Sequence, residues 1–216
     1  VEELNTINQL TKYDSDGVQR ISSINEINVS VNGLNLSDLS TFGDGRQRMK
    51  SAKSLLYGSN VTFRVTKNNS TSNMSKVISQ DTTVTMYIPN IVNITSPKIE
   101  KEEELFPFCY YKDFEISWNA DSENMNGLVV MLEWHGITLK GEKKSVFVRN
   151  IDIIESDNGS AKLNDKLFDN IPNNAIAYIT LLRGNVTILE NFISDESFRL
   201  AAESHAILPF VLVRNL

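Results

Sequence analysis

The chain has 216 residues, 41% of them apolar and 22% charged, and a formal net charge of −6. That length accommodates one large all-β domain or two domains of about 100 residues each, and the composition excludes a disordered chain. The acidic balance argues against a nucleic-acid binder and against electrostatic docking on an anionic membrane.

The chain begins at Val1 without a Met, which is expected of a trimmed or mature form whose targeting segment has been removed. The first clear pattern is period two. "INEINVSVNG" (24–33) places Ile27, Val29 and Val31 on one face; "NVTFRVT" (60–66) alternates Val61, Phe63 and Val65; "TTVTMYIP" (82–89) alternates Val84, Met86 and Ile88. Half-buried antiparallel strands require this alternation. Between them, "GRQRMKSAKSLLYG" (45–58) groups Met49, Ala52, Leu55 and Leu56 at helical spacing, with Gly58 as a C-terminal cap, and reads as a helix or, alternatively, a loop. "YDSDG" (13–17) and "FGDGR" (42–46) are turn-like, and neither has the spacing of a phosphate-binding glycine loop.

A boundary is expected near residue 92, where "IPNIVNITSPKIEKEEEL" (88–105) holds two prolines and then a charged run. The division is residues 1–92, a β-rich N-terminal domain, and residues 93–216. Strands are expected in the second half at 113–118, 128–134, 145–153, 160–163, 175–182, 197–203 and 207–213, with one helical turn at 165–172. Turn chemistry separates them at Asn126-Gly127, Lys140-Gly141, Asp157-Asn158-Gly159, Pro172-Asn173-Asn174 and Gly184-Asn185. Seven short strands in this span read as a β-sandwich. No apolar run approaches the roughly 20 residues that span a bilayer; the longest, "AILPFVLV" (206–213), holds Pro209 and reads as a strand.

The densest candidate chemistry lies in "WNADSENMNGLVVMLEW" (118–134), where the only two tryptophans bracket a polar loop. An EF-hand is excluded, because counting from Asp121 puts Met125 at position 5 and Leu132 at position 12. Asp121 and Glu123 stay as candidate ligands of a looser Ca²⁺ site; no other cofactor is expected. Trp118 and Trp134 are candidate sugar-stacking rings, although alternation places them on the apolar faces with Ile116 and with Leu128, Val130 and Leu132, as core anchors would be. Tyr110 and Tyr111, beside Cys109, are further candidate ligand-binding aromatics. Cys109 is the only cysteine, so no intramolecular disulfide forms, and among aromatics it reads as a small buried hydrophobe. His135 and His205 are the only histidines, too few and too scattered for a zinc motif, and His135 reads as a surface side chain. Asp121 and Glu133 are the most suggestive carboxylate pair for glycoside hydrolysis, yet the strand rise separates them by about 20 Å.

Asn occurs 24 times, and nine Asn-x-Ser/Thr sequons occur against about four expected from composition. A eukaryotic glycoprotein explains this, but a secreted eukaryotic domain of this size usually carries disulfides. An Asn-, Ser- and Thr-rich exported bacterial protein is the favoured explanation.

"FDNIPNNAIAYITLLRGN" (168–185) resembles the corner leading into the sixth strand of a fibronectin-III or immunoglobulin-like domain, with Tyr178 on that strand and Trp134 on the third. The resemblance covers residues 93–216 and lacks the cysteine pair of antibody domains. The whole chain is similar in texture to secreted or lipid-anchored β-sandwich proteins of gut Bacteroidetes, some of which are glycan-binding or fimbria-related. That resemblance implies export to the periplasm or outer surface of a bacterium and a lipid anchor on the precursor. It also matches Asp81-Thr82-Thr83 to an O-glycosylation acceptor pattern.

The expected fold is therefore all-β, with two β-sandwich-like domains, the C-terminal one immunoglobulin/fibronectin-III-like. The expected function is non-catalytic: an adhesion or glycan-binding module whose partner is a glycan or a surface protein. The first alternative is an assembly subunit of a surface complex or fimbria that pairs through "ILPFVLVRNL". The second is a hydrolase, which would need carboxylates within reach of each other.

Overall fold

The period-two stretches become paired strands. In the computed structural model the first part of the chain forms β1 (Lys12–Tyr13), β2 (Gln19–Arg20), β3 (Ile27–Val31), β4 (Leu34–Asn35), β5 (Ser59–Asn68) and β6 (Ser79–Ile88). Next come β7 (Ile94–Ser96), β8 (Phe108–Tyr110), β9 (Glu115–Trp118), β10 (Leu128–Thr138), β11 (Val148–Ile154) and β12 (Ser160–Lys162). A 3-10 turn at Asp165–Phe168 leads to β13 (Ala175–Ile193) and β14 (Glu196–Val213). The structure describes residues 12–13, 19–20, 27–32, 34–35, 56–68, 79–99, 105–141, 143–193 and 196–214. The helix expected at 45–58 lies outside them except for 56–58. No described helix is long and apolar enough to cross a membrane.

The protein is all-β, and its described strands form three sheets: β4-β3-β5-β6; β12-β9-β7; and β11-β10-β13-β14-β1-β2, in which β8 also pairs with β14. The chain divides into two compact units, one of residues 1–89 with 184–203 and one of residues 90–183 with 204–216.

In the first unit, β5 and β6 pair over their full length, with Val61 opposite Met86 and Phe63 opposite Val84. Val31, Val61, Phe63, Val65, Met86 and Ile88 are buried in one cluster with Leu200 and Ala202 of β14. The alternate residues face out. The Thr62 and Thr85 hydroxyls lie 3.2 Å apart, and the Arg64 Nε donates to both Asp81 carboxylate oxygens at 3.0 and 2.9 Å. Asp81, the first residue of the acceptor pattern, is thus engaged by Arg64.

Two expectations are corrected here. Gly184-Asn185 is not a turn; β13 runs through it for 19 residues. A Cβ at 184 would meet the Ala202 carbonyl at 2.6 Å and the Glu203 Cβ at 2.8 Å, so this glycine serves a close approach of β14. The Asn185 side-chain amide donates to the Tyr87 carbonyl at 2.8 Å. Likewise, 197–203 and 207–213 are one 18-residue strand. β14 pairs with β1 at Ser197 and Phe198, and with β8 at Val211–Val213. Pro209, which has no N–H to donate, falls in the gap between these two ladders.

In the second unit, β10 shows strict alternation, burying Leu128, Val130, Leu132 and Trp134. These pack with Ile116 and Trp118 of β9, Ile179 and Leu181 of β13, and Phe210 and Leu212 of β14. Phe114 links the 3-10 turn to this core, its ring centroid 5.4 Å from that of Phe168 and 5.7 Å from that of Phe210. Full burial of each large side chain contributes roughly 1.5–3 kcal/mol. The turn after Asn126 needs glycine: Gly127 has φ 63°, and a Cβ there would lie 2.0 Å from the Ile154 carbonyl oxygen.

Candidate functional site

The loop between the tryptophans folds inward around one carboxylate. Asp157, just before β12, accepts from the Trp118 indole N–H at 2.7 Å through Oδ1 and from the Asn124 amide at 2.8 Å through Oδ2. Arg183 of β13 donates from Nη2 to the same Oδ1 at 2.7 Å and to the Asn119 carbonyl at 2.5 Å, and from Nη1 to the Asn90 carbonyl at 3.0 Å. The Arg183 and Asp157 side chains are 0% and 1% exposed. Sequence reasoning named Asp157 only as part of a turn and did not name Arg183, because they lie 26 positions apart and no spacing rule links them.

Asp121 and Glu123 stand in different environments. Asp121 is buried, and its carboxylate accepts the Asn90 backbone N–H at 2.7 Å and the Glu123 N–H at 3.2 Å, whereas the Glu123 side chain is exposed. Among the described residues no three His, Cys, Asp or Glu side chains group as a metal site. Glu133, considered above with Asp121, is instead bonded by Arg149, with Nη2 2.6 Å and Nε 2.8 Å from Oε1.

The candidate aromatics are distributed rather than gathered. Trp118 and Trp134 are each 3% exposed, and the Trp134 indole N–H donates to the Ile137 carbonyl at 2.8 Å, so neither ring presents a face to solvent. Tyr110 and Tyr111 are half-buried and meet edge-to-face at 5.5 Å. The Arg214 guanidinium sits 4.9 Å over the Tyr111 ring and donates to the Ile171 carbonyl at 2.6 Å. Cys109 is buried, and burial pushes its thiol up to about 12. The C-terminal stretch expected to pair with a partner chain is flanked on both sides: β14 lies between β13 and β8 there, and Phe210, Val211 and Leu212 are buried.

The exposed chemistry is on the opposite face of β10. Register places Glu133 between Arg149 of β11 and Tyr178 of β13, Met131 between Ile151 and Thr180, and Val129 between Ile153 and Leu182. Ile151 and Ile153 are 61% and 65% exposed. At one end of this face, His135 lies 5.0 Å from the Phe147 ring and 5.8 Å from the Tyr178 ring, and the Arg149 guanidinium covers Phe147 at 5.1 Å. His135 is exposed, as the sequence indicates; Phe147 and Arg149 were read only as members of a strand. The available signal was "VFVRNIDI" (146–153), in which Phe147, Ile151 and Ile153 are apolar or aromatic at odd positions, on the exposed side of this segment.

Against this geometry, no protein-family model, no curated protein and no solved structure matches the chain.

Proposed function

We propose that the chain is a non-catalytic, exported bacterial surface protein that acts as an adhesion or glycan-binding module. The observation that carries this reading is the His135–Phe147–Tyr178 ring cluster. It lies open on a sheet face beside the bonded Arg149–Glu133 pair, whereas the Arg183–Asp157 pair is buried. Binding faces combine exposed aromatics with oriented polar groups, because a ring offers a large contact area at low conformational cost.

The strand order supports the immunoglobulin/fibronectin-III-like assignment of the second unit. β7, β9 and β12 make one sheet, and β11, β10, β13 and β14 the other, matching the A-B-E and C′-C-F-G arrangement of such sandwiches. Domains of this architecture commonly serve recognition, which agrees with an extracellular or periplasmic location. The test is a glycan array read with the intact chain and with Phe147→Ala and Tyr178→Ala. Retained glycans that both variants lose support the reading; an array with no retained glycan removes it.

A further inference from the structure

The hairpin that follows β10 is the most basic exposed stretch among the described residues of the second unit. Between 139 and 149 the chain carries Lys140, Lys143, Lys144 and Arg149 against one acidic residue, Glu142, in a protein of net charge −6. Lys140, Lys143 and Lys144 are all exposed, and Leu139, Val146 and Phe147 stand exposed among them at 47%, 48% and 52%. Among the described residues, none of the three lysines is ion-paired, whereas Arg149 is held by Glu133.

The backbone fixes where these cations stand. The Gly141 N–H donates to the Thr138 carbonyl at 2.9 Å and closes the turn, and Ile137 bridges Lys143 in antiparallel fashion. The Lys144 N–H donates to the Gly136 carbonyl at 2.8 Å, and the Leu139 N–H donates to the Asn174 carbonyl at 2.9 Å. Gly136 has φ 77°, and a Cβ there would lie 1.9 Å from the Lys144 carbonyl oxygen. Lys143 and Lys144 are therefore carried on a tight hairpin immediately after His135, next to the ring cluster.

We infer that this hairpin and the adjoining rings bind an anionic polysaccharide, one whose sugars carry carboxylate or sulfate groups. The inference rests on the glycan-binding reading and names its ligand class. Charge complementarity selects the class: exposed ammonium groups on a molecule of net charge −6 attract anions within about 8 Å at physiological ionic strength, and little beyond that range. A narrow polymer chain can lie along the hairpin and avoid the acidic remainder of the surface. A flat anionic bilayer or a nucleic-acid duplex presents its charge over a wider area. Phe147 and Tyr178 supply apolar contact for the sugar ring faces, and the lysines supply the partners for the acidic substituents.

The experiment is isothermal titration of the full chain with polygalacturonate, heparin and neutral dextran, together with sedimentation on phosphatidylglycerol vesicles. The inference expects binding to polygalacturonate or heparin that weakens as salt is raised, and none to dextran. The triple variant Lys140→Ala/Lys143→Ala/Lys144→Ala should lose about tenfold or more in affinity and most of the salt dependence. Phe147→Ala should weaken binding and leave the salt dependence in place. These side chains are exposed, and an unchanged thermal midpoint verifies that the variants fold. Array binding to neutral glycans alone would overturn the inference and leave the glycan-binding reading standing. Binding to vesicles with none to the polysaccharides would overturn the inference in favour of a lipid surface. Absence of binding to any glycan would overturn both.

Discussion

Arg183 and Asp157 pair out of water, with Nη2 2.7 Å from Oδ1 and the side chains 0% and 1% exposed. Trp118 and Asn124 donate to the same carboxylate, so one aspartate ties β9, the 119–127 loop and β13 together. Asp157→Ala leaves a buried guanidinium without its counter-charge. It is expected to lower the unfolding free energy by about 3–5 kcal/mol, measured by urea titration followed by tryptophan fluorescence. Asp157→Asn keeps an acceptor for the Trp118 N–H and should cost less.

Trp118 and Trp134 are equally buried but differently bonded. Trp118→Phe removes a hydrogen bond to a carboxylate that also serves Arg183, whereas Trp134→Phe frees only the Ile137 carbonyl. The bond to the charged group should contribute about 1.5–3 kcal/mol and the neutral one about 0.5–1.5 kcal/mol. Matched urea midpoints of the two variants test the order: Trp118→Phe is expected to be the less stable.

Gly136 holds a left-handed conformation against the Lys144 carbonyl. Gly136→Ala is expected to open the hairpin, at a cost of about 1–2 kcal/mol from the backbone alone and more from the contact. Amide hydrogen exchange reports it: the Lys144 N–H, which donates to the Gly136 carbonyl, should lose protection while the Leu132 amide in mid-strand keeps its own.

Cys109 is buried, and burial raises its thiol to about 12, so at neutral pH it is a thiol and closed to reagents. An aromatic disulfide reagent should leave the native chain unlabelled and modify one thiol per chain in denaturant. Fast labelling of the native chain would contradict this placement.

Arg64 beside Asp81 holds that carboxyl below its ordinary value of 3.8, chiefly through their hydrogen bond. A carboxylate depressed in the folded state stabilises it above the unfolded value, and that contribution is lost as pH falls through the folded value. Both groups are open to solvent, so the effect on stability is small. The direct measurement is carbon-detected NMR of the Asp81 carboxyl: Arg64→Ala should move its titration midpoint upward.

Some of the protein is legible residue by residue. Val61, Phe63 and Val65 alternate with Thr62 and Arg64, and a strand that buries one face admits no other reading. The same rule placed Trp118 with Ile116 and Trp134 with Leu132, and turn chemistry identified the Asn126-Gly127 turn. Gly184 shows where local reading stops. Its dipeptide with Asn185 has turn chemistry, yet the reason for glycine there is the carbonyl of Ala202, 18 positions away and brought close only by the pairing of β13 with β14. The expected ligand residues behave likewise: Asp121 and Glu123 share a loop, but the backbone of Asn90 takes one of them.

Local sequence determined which segments are strands and which way their side chains face, because strand periodicity is imposed by the backbone itself. Tertiary structure alone decided which carboxylates are buried in bonds and which cations are exposed. Asp157, Arg183 and Asn124 meet only after two sheets close on a common core, and Phe147 joins His135 and Tyr178 only through the register of three strands. Solvent exposure and pairing are properties of those long-range contacts, and no single stretch of the chain contains them.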